Sequence, residues 1–195
     1  MSRVVHKYTR NVPQWQPRVR PVDLAEATPE QLDALKVTPS NTKVSDYVLT
    51  LAHVVESLIV RSPLFNAIMY EPGGLGRGDR ELGALAASMV NRCIYCAAVH
   101  AARHAQLAYS TEVTDALFEK GADAALGPRD RAIFDFARKL SAAPPEAGPA
   151  DMEALREAGL QDAEILDLIL STALFGWANR LMHVLGDPVR QEVEA

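Results

Sequence analysis

Two cysteines, a histidine and a glutamate carry the chemistry this sequence offers. They stand in the segment Glu81-LGALAASMVNR-Cys93-IY-Cys96-AAV-His100. On a helix, Cys93, Cys96 and His100 fall at i, i+3 and i+7 and share one face. Neighbours at i,i+3 have β-carbons about 5–6 Å apart. Small adjustment brings such a pair to the roughly 3.5–4.5 Å a disulfide needs. The two thiols are therefore spaced to cycle between dithiol and disulfide with little backbone motion.

Glu81 cannot join them on a straight helix, because twelve residues at about 1.5 Å of rise put it about 18 Å away. It joins only if the helix breaks, and Asn91-Arg92 is the expected break, since Asn favours caps and turns. Cys93 and Cys96 would then lie in the first turn of the next helix, whose N-terminus favours a thiolate. His100, one turn beyond Cys96, is placed to take or return a proton. Glu81 would orient His100 or pass a proton to it.

Other readings compete for these residues. Two buried thiols of no chemical consequence are one. A structural zinc held by Cys93, Cys96 and His100 is another, but such sites take four ligands, usually from well-separated paired motifs. His104, the one further candidate, is expected on a helix surface. Tyr95 and Trp177 read as packing residues, with Tyr95 and His53 as candidate supporting residues beside the site. No phosphate loop, dinucleotide fingerprint or metal box is present, so neither a bound cofactor nor a metal is expected.

The elements that position these residues read as all-α. Residues 1–43 form an extended N-terminal arm in which Pro13, Pro17 and Pro21 recur every four residues and discourage helix. Within it Thr28-Pro29-Glu30-Gln31 predicts a short helix over about 29–35. The arm is expected to lie over the body or over a partner subunit. From residue 44, apolar residues recur at 3–4 spacing from Tyr47 to Ile59, followed by a loop expected to hold Pro63, Pro72 and the glycines 73, 74, 76 and 78. Helices are expected over 82–90, 94–109 and 111–120, then over 132–140, 150–158 and 165–184.

A shift of 83 residues lays Glu81 on Glu164, Leu85 on Leu168 and His100 on His183, and the helix at 46–58 on 129–141. This suggests a duplicated helical unit: 44–127 carries the Cys-x2-Cys site, and 128–195 is a degenerate copy packed with the first as one domain. Cys93 then falls on Gly176 and Cys96 on Asn179, so only the first copy holds thiols.

Composition narrows the function class. The chain has 195 residues, 48% hydrophobic and 23% charged, which suits a globular protein with a buried core. Its net charge of −5 gives no basic field for nucleic acid or anionic membrane. The N-terminus lacks the apolar stretch of a secretory signal, and no uninterrupted apolar run reaches the roughly 18 residues of a membrane span. Only two cysteines, three residues apart, do not make a secreted disulfide scaffold. The expected address is the cytoplasm.

The spacing Glu-x11-Cys-x2-Cys-x3-His resembles the core motif of the alkylhydroperoxidase D family, within the carboxymuconolactone decarboxylase-like superfamily. Glu81, Cys93, Cys96 and His100 match its four positions. The stretch AEILDLILSTALFGWANRLMHVLG is similar to the end of the peroxidase-related branch, where Asn179 and Arg180 have counterparts without an assigned role. The resemblance covers roughly residues 45–186. It implies a helical bundle that assembles into homo-oligomers and reduces hydroperoxides or disulfides. Cys96 would be the peroxidatic thiol and Cys93 the resolving one. Glu81 and His100 would move protons, and an external dithiol, in the family often a lipoyl group, would restore the pair. One position departs: the well-studied peroxidases carry a histidine just before the second cysteine, and here Tyr95 stands there. A non-catalytic helical oligomer or ligand-binding protein, and a lactone decarboxylase, are the alternatives.

Overall fold

The structure is a computed structural model that describes residues 3–36 and 44–190, so the end of the expected arm, 37–43, lies outside the described residues. Nine α-helices and one pair of short strands make up the described residues: β1 (Gln14–Pro17), α1 (Pro29–Ala34), α2 (Asp46–Leu51), α3 (Val55–Met69), α4 (Arg77–Val90), α5 (Ile94–Ala108), α6 (Glu112–Lys120), α7 (Pro128–Ser141), α8 (Pro149–Glu157), α9 (Asp162–Leu185) and β2 (Gly186–Val189). The fold is all-α, as the apolar spacing predicts.

Helix α4 is the centre. It packs against α5, α7 and α9, and every residue from Arg80 to Ser88 is buried. Its small residues permit this. A β-carbon at Gly83 would lie 2.7 Å from Leu168 Cδ1 and 3.0 Å from Thr172 Oγ1, so α4 and α9 meet at that glycine. Leu82, Leu85, Ile133, Phe134, Ile165 and Leu168 fill the main core around it.

Arg80 anchors the loop that leads into α4. Its Nη1 donates to the carbonyls of Ile68 (3.0 Å) and Glu71 (3.1 Å), and its Nη2 to Gly73 O (2.6 Å) and Asp167 Oδ2 (3.2 Å). The backbone groups of a glycine-rich loop thus find partners, and the start of α4 is fixed.

The arm covers the body. β1 pairs antiparallel with β2, with Trp15 opposite Pro188 and Pro17 opposite Gly186. Trp15 Nε1 donates to Met182 O at 3.2 Å, and its ring meets Tyr47 edge-on at 5.7 Å. A side chain at Gly186 would strike this indole, since its β-carbon would come within 2.3 Å of Trp15 Cε2. Trp15, Val22, Tyr47, Leu58 and Met182 form a second core beneath the arm, and both cysteines belong to it.

Several expectations are corrected. The helix begun after residue 44 is two helices, α2 and α3, separated by a turn at 52–54. Pro63 lies inside α3 rather than in the loop. It removes one backbone donor, yet Leu58, Phe65 and Met69 keep the helix docked. The short strand pair was not legible, because four residues at each end of the chain show too little alternation. The offset of 83 carries α4 onto the first half of α9, and α9 runs unbroken through 174–176, the counterpart of the turn at 91–93. By length and composition α9 could cross a membrane. Nevertheless it buries Ser171, Thr172 and Asn179, and Ser88 Oγ donates to Asn179 Oδ1 at 3.2 Å, which places α9 in the protein core.

Candidate active site

Helix α4 ends in a turn that makes the site. The Arg92 N–H donates to Met89 O (3.1 Å) and the Cys93 N–H to Ser88 O (3.0 Å), with Arg92 left-handed at φ 54°. This is the Schellman arrangement, which normally places glycine where Arg92 stands. The chain reverses at once, so that Cys93 both follows α4 and is the N-cap residue of α5. Asn91 is the C-cap residue of α4, as its type predicts.

The reversal folds α5 back along α4 and brings His100 to Glu81. His100 Nδ1 lies 2.6 Å from Glu81 Oε2, and both side chains are buried. Arg77, one turn before Glu81, donates to the other carboxylate oxygen, through Nε at 2.9 Å and also through Nη2. Burial pushes the Glu81 carboxyl up, but His100 and Arg77 together outweigh it and hold the group below the usual carboxylate range. Phe175 fixes the imidazole from the side, with ring centroids 4.0 Å apart.

The two thiols differ in environment. The Cys96 thiol, hydrogen-bonding to the Cys93 sulfur, lowers the Cys93 pKa; burial opposes this, and the N–H groups of Cys96 and Tyr95 at the helix start add to the lowering. Cys96 is held well above an ordinary thiol, first by burial and then by Cys93. Of the two thiols, Cys93 is thus the more acidic.

Cys96 and His100 open on one cavity of about 400 Å³, with Glu81, Arg77, Arg61, Arg103, Tyr95 and Phe175 among its walls. Cys93 does not line it. It opens instead on a second space beneath the arm, beside Tyr8 and Trp15. A sulfur, a histidine and a carboxylate thus meet at one cavity, and the second sulfur opens on a neighbouring one. No group of three or more His, Cys, Asp or Glu side chains suited to a metal occurs among the described residues.

The structure brings Glu81, Cys93, Cys96 and His100 together and puts Tyr95 in the wall. It does not bring in His53, which is exposed and bonded through Nε2 to Arg20 O at 2.9 Å. His53 is therefore not part of the site. His104, expected on the surface, is buried and bonded through Nδ1 to Gly78 O at 3.0 Å. Trp177 is half exposed. Sequence reasoning missed Arg77, Arg61 and Phe175. The i,i+4 spacing of Arg77 and Glu81 was a usable signal; Arg61 and Phe175 come from distant helices and gave none.

Comparison with known proteins places the chain among relatives of one fold. Residues 60–139 match the carboxymuconolactone decarboxylase family. The fold is similar to the crystal structure of an alkylhydroperoxidase AhpD core, an uncharacterized peroxidase-related protein from Ralstonia eutropha JMP134. The TM-score is 0.75 and the identity 32%, over 91% of this chain and 93% of that one. An uncharacterized peroxidase-related protein from Silicibacter sp. TM1040 follows at 0.71 and 28%, over 87% and 91%. The debrominase Bmp8 shares the fold at 0.71 with 17% identity, over 86% and 89%. A cysteine-to-alanine form of that debrominase is known in complex with 2,3,4-tribromopyrrole. No curated protein matches the chain.

Proposed function

The chain belongs to the alkylhydroperoxidase D-like family of the carboxymuconolactone decarboxylase superfamily, and from that premise we propose that it is a thiol peroxidase that reduces hydroperoxides with Cys96 and Cys93. A peroxidase-related role follows from the family. The finer reading rests on one observation: Cys96 and the His100–Glu81 pair face the same cavity, while Cys93 sits behind Cys96 at the start of α5.

In this reading the reduced pair shares one proton, which sits on Cys93 once substrate has entered, so that Cys96 reacts as the thiolate. The Cys96 sulfur attacks the terminal peroxide oxygen, the O–O bond breaks, and an alkoxide departs. His100, held through Nδ1 by Glu81, gives the alkoxide a proton from its other nitrogen, which yields the alcohol. Cys96 is left as a sulfenic acid. The Cys93 sulfur then attacks the Cys96 sulfur. Hydroxide leaves, takes the proton from Cys93, and departs as water. The Cys93–Cys96 disulfide that forms has taken the two oxidising equivalents of the peroxide. An external dithiol, with a lipoyl group as the candidate, reduces it and restores His100's proton balance. The same pair would also serve disulfide reduction, which needs no peroxide relay.

The reading places the protein in a reducing compartment, the cytoplasm, and in a homo-oligomer. Val60 and Leu64 on α3 and Leu166 and Leu170 on α9 are exposed apolar residues that support self-association. Hydroperoxide turnover with dihydrolipoamide as reductant tests the activity. Cys96→Ser should lose at least ~100-fold in kcat/KM; an unchanged rate would overturn the assignment.

A further inference from the structure

Arg61 lies on α3 and lines the cavity that holds Cys96 and His100. Its guanidinium stands 3.9 Å from the centroid of the Phe65 ring and 5.6 Å from that of Tyr47. The residue is only 8% exposed. Its Nε and Nη1 atoms are buried without a hydrogen-bond partner. No carboxylate among the described residues pairs with it.

The other arginines around the cavity differ. Arg77 is bonded to Glu81, and Arg103 donates to Gln106 Oε1 at 2.8 Å. The one acid in the wall, Glu81, is shared between Arg77 and His100. A guanidinium does not shed its charge in the ordinary pH range, and a buried, unpaired charge is costly. The aromatic faces offset only part of that cost. The cavity therefore holds an uncompensated cation within apolar walls that include Phe65 and Phe175. Its volume of about 400 Å³ falls within the small-molecule range.

We propose, resting on the peroxidase reading above, that the cavity selects an organic hydroperoxide with a carboxylate on an apolar body, and that Arg61 binds that carboxylate. The planar fork of Arg61 suits a carboxylate bidentately. The apolar body would lie along Phe65 and Phe175, which leaves the peroxide end for Cys96. The carboxylate takes no part in bond breaking. Its pairing with Arg61 sets which substrate enters and how it is turned.

The first arm of the test needs no turnover. The acid para-isopropylbenzoate and its neutral amide are titrated by calorimetry into the wild-type protein, Arg61→Met and Arg61→Lys. The acid should bind the wild-type protein at least ~10-fold more tightly than the amide. The preference should vanish in Arg61→Met and survive in part in Arg61→Lys. Arg61→Lys keeps the charge and carries the test if Arg61→Met does not fold. The second arm compares kcat/KM for para-carboxycumene hydroperoxide and for cumene hydroperoxide. The wild-type enzyme should favour the acid at least ~10-fold, mainly through KM, and Arg61→Met should bring the ratio near one. Equal handling of acid and neutral compounds by an active wild-type enzyme would overturn the Arg61 assignment and leave the peroxidase reading standing. Acid binding through Arg61 in a protein that turns over neither hydroperoxide would overturn the peroxidase reading, and a hydroperoxide as the occupant with it, while leaving Arg61 as the residue that binds a carboxylate.

Discussion

His100 Nδ1 and Glu81 Oε2 stand 2.6 Å apart across 19 residues of sequence. That contact exists because the chain reverses between Arg92 and Cys93. On a straight helix the two residues would be far out of reach. The same reversal makes Cys93 the first residue of the turn that carries Cys96. Relay and thiol pair are thus products of one local event, the left-handed Arg92.

The relay gives a pH prediction. Glu81 is held below the usual carboxylate range in the folded protein, against roughly 4.3 when unfolded. A carboxyl lowered by folding stabilises the protein above its unfolded value and loses that contribution as pH falls through its folded value. Urea unfolding at neutral pH and at about pH 3.5 should therefore show a larger acid loss for wild type than for Glu81→Gln. At neutral pH Glu81→Gln should cost about 1–3 kcal/mol, because Arg77 and His100 lose a charged partner. Its peroxidase kcat should fall roughly 100-fold. Equal acid sensitivity in the two proteins would show that Glu81 is not the charged partner of His100.

The thiol pair gives a second. The largest cause of the lowered Cys93 pKa is the Cys96 thiol, so Cys96→Ala should raise the apparent pKa of Cys93. Burial and Cys93 together hold Cys96 up, so Cys93→Ala should lower that of Cys96. Ultraviolet thiolate absorbance followed against pH in the two single variants measures both. No movement in either variant would mean that the thiols do not interact.

Tyr95 gives a third. It stands where well-studied peroxidases that the motif resembles carry a histidine, and burial raises its phenol further from neutrality. It is a wall residue without a useful proton. Tyr95→His should raise kcat for hydroperoxide at neutral pH several-fold, toward the ~100-fold scale of one acid–base group. A rate unchanged or lowered in a folded variant would mean that His100 and Glu81 already supply every proton the reaction needs.

The α4–α5 hairpin gives a fourth. Gly83→Ala forces a methyl to within 2.7 Å of Leu168 Cδ1 and should destabilise by about 1–3 kcal/mol. Arg92→Gly should stabilise by roughly 1 kcal/mol, since a non-glycine residue at φ 54° is disfavoured there. Thermal or urea unfolding reads both. Opposite signs would contradict the close approach of α4 and α9 and the strain at the turn.

The local part of this site was legible in the sequence and the distant part was not. Cys93, Cys96 and His100 announced themselves by spacing, and Asn91-Arg92 by turn chemistry. Glu81 followed once a break was granted, because a helical hairpin has few ways to return. Arg61 and Phe175 reach the cavity from α3 and α9, and only tertiary packing brings them there. His53 and His104 departed from expectation for the same reason. Each was judged by its own helix, whereas the arm gave His53 a partner in Arg20 O and the start of α4 gave His104 one in Gly78 O. Pro63 misled because a proline in α3 is outweighed by the burial of Phe65 and Met69.

The most direct test is a single turnover without reductant. Reduced protein is mixed with one equivalent of cumene hydroperoxide, alkylated, and analysed by intact and peptide mass spectrometry. The account predicts one cumyl alcohol formed per chain, loss of two hydrogens, and a Cys93–Cys96 peptide resistant to alkylation; Cys93→Ser should stop at the Cys96 sulfenic acid. Two thiols that stay fully alkylatable after exposure, or alcohol formed equally by the Cys93→Ser, Cys96→Ser double variant, would contradict it.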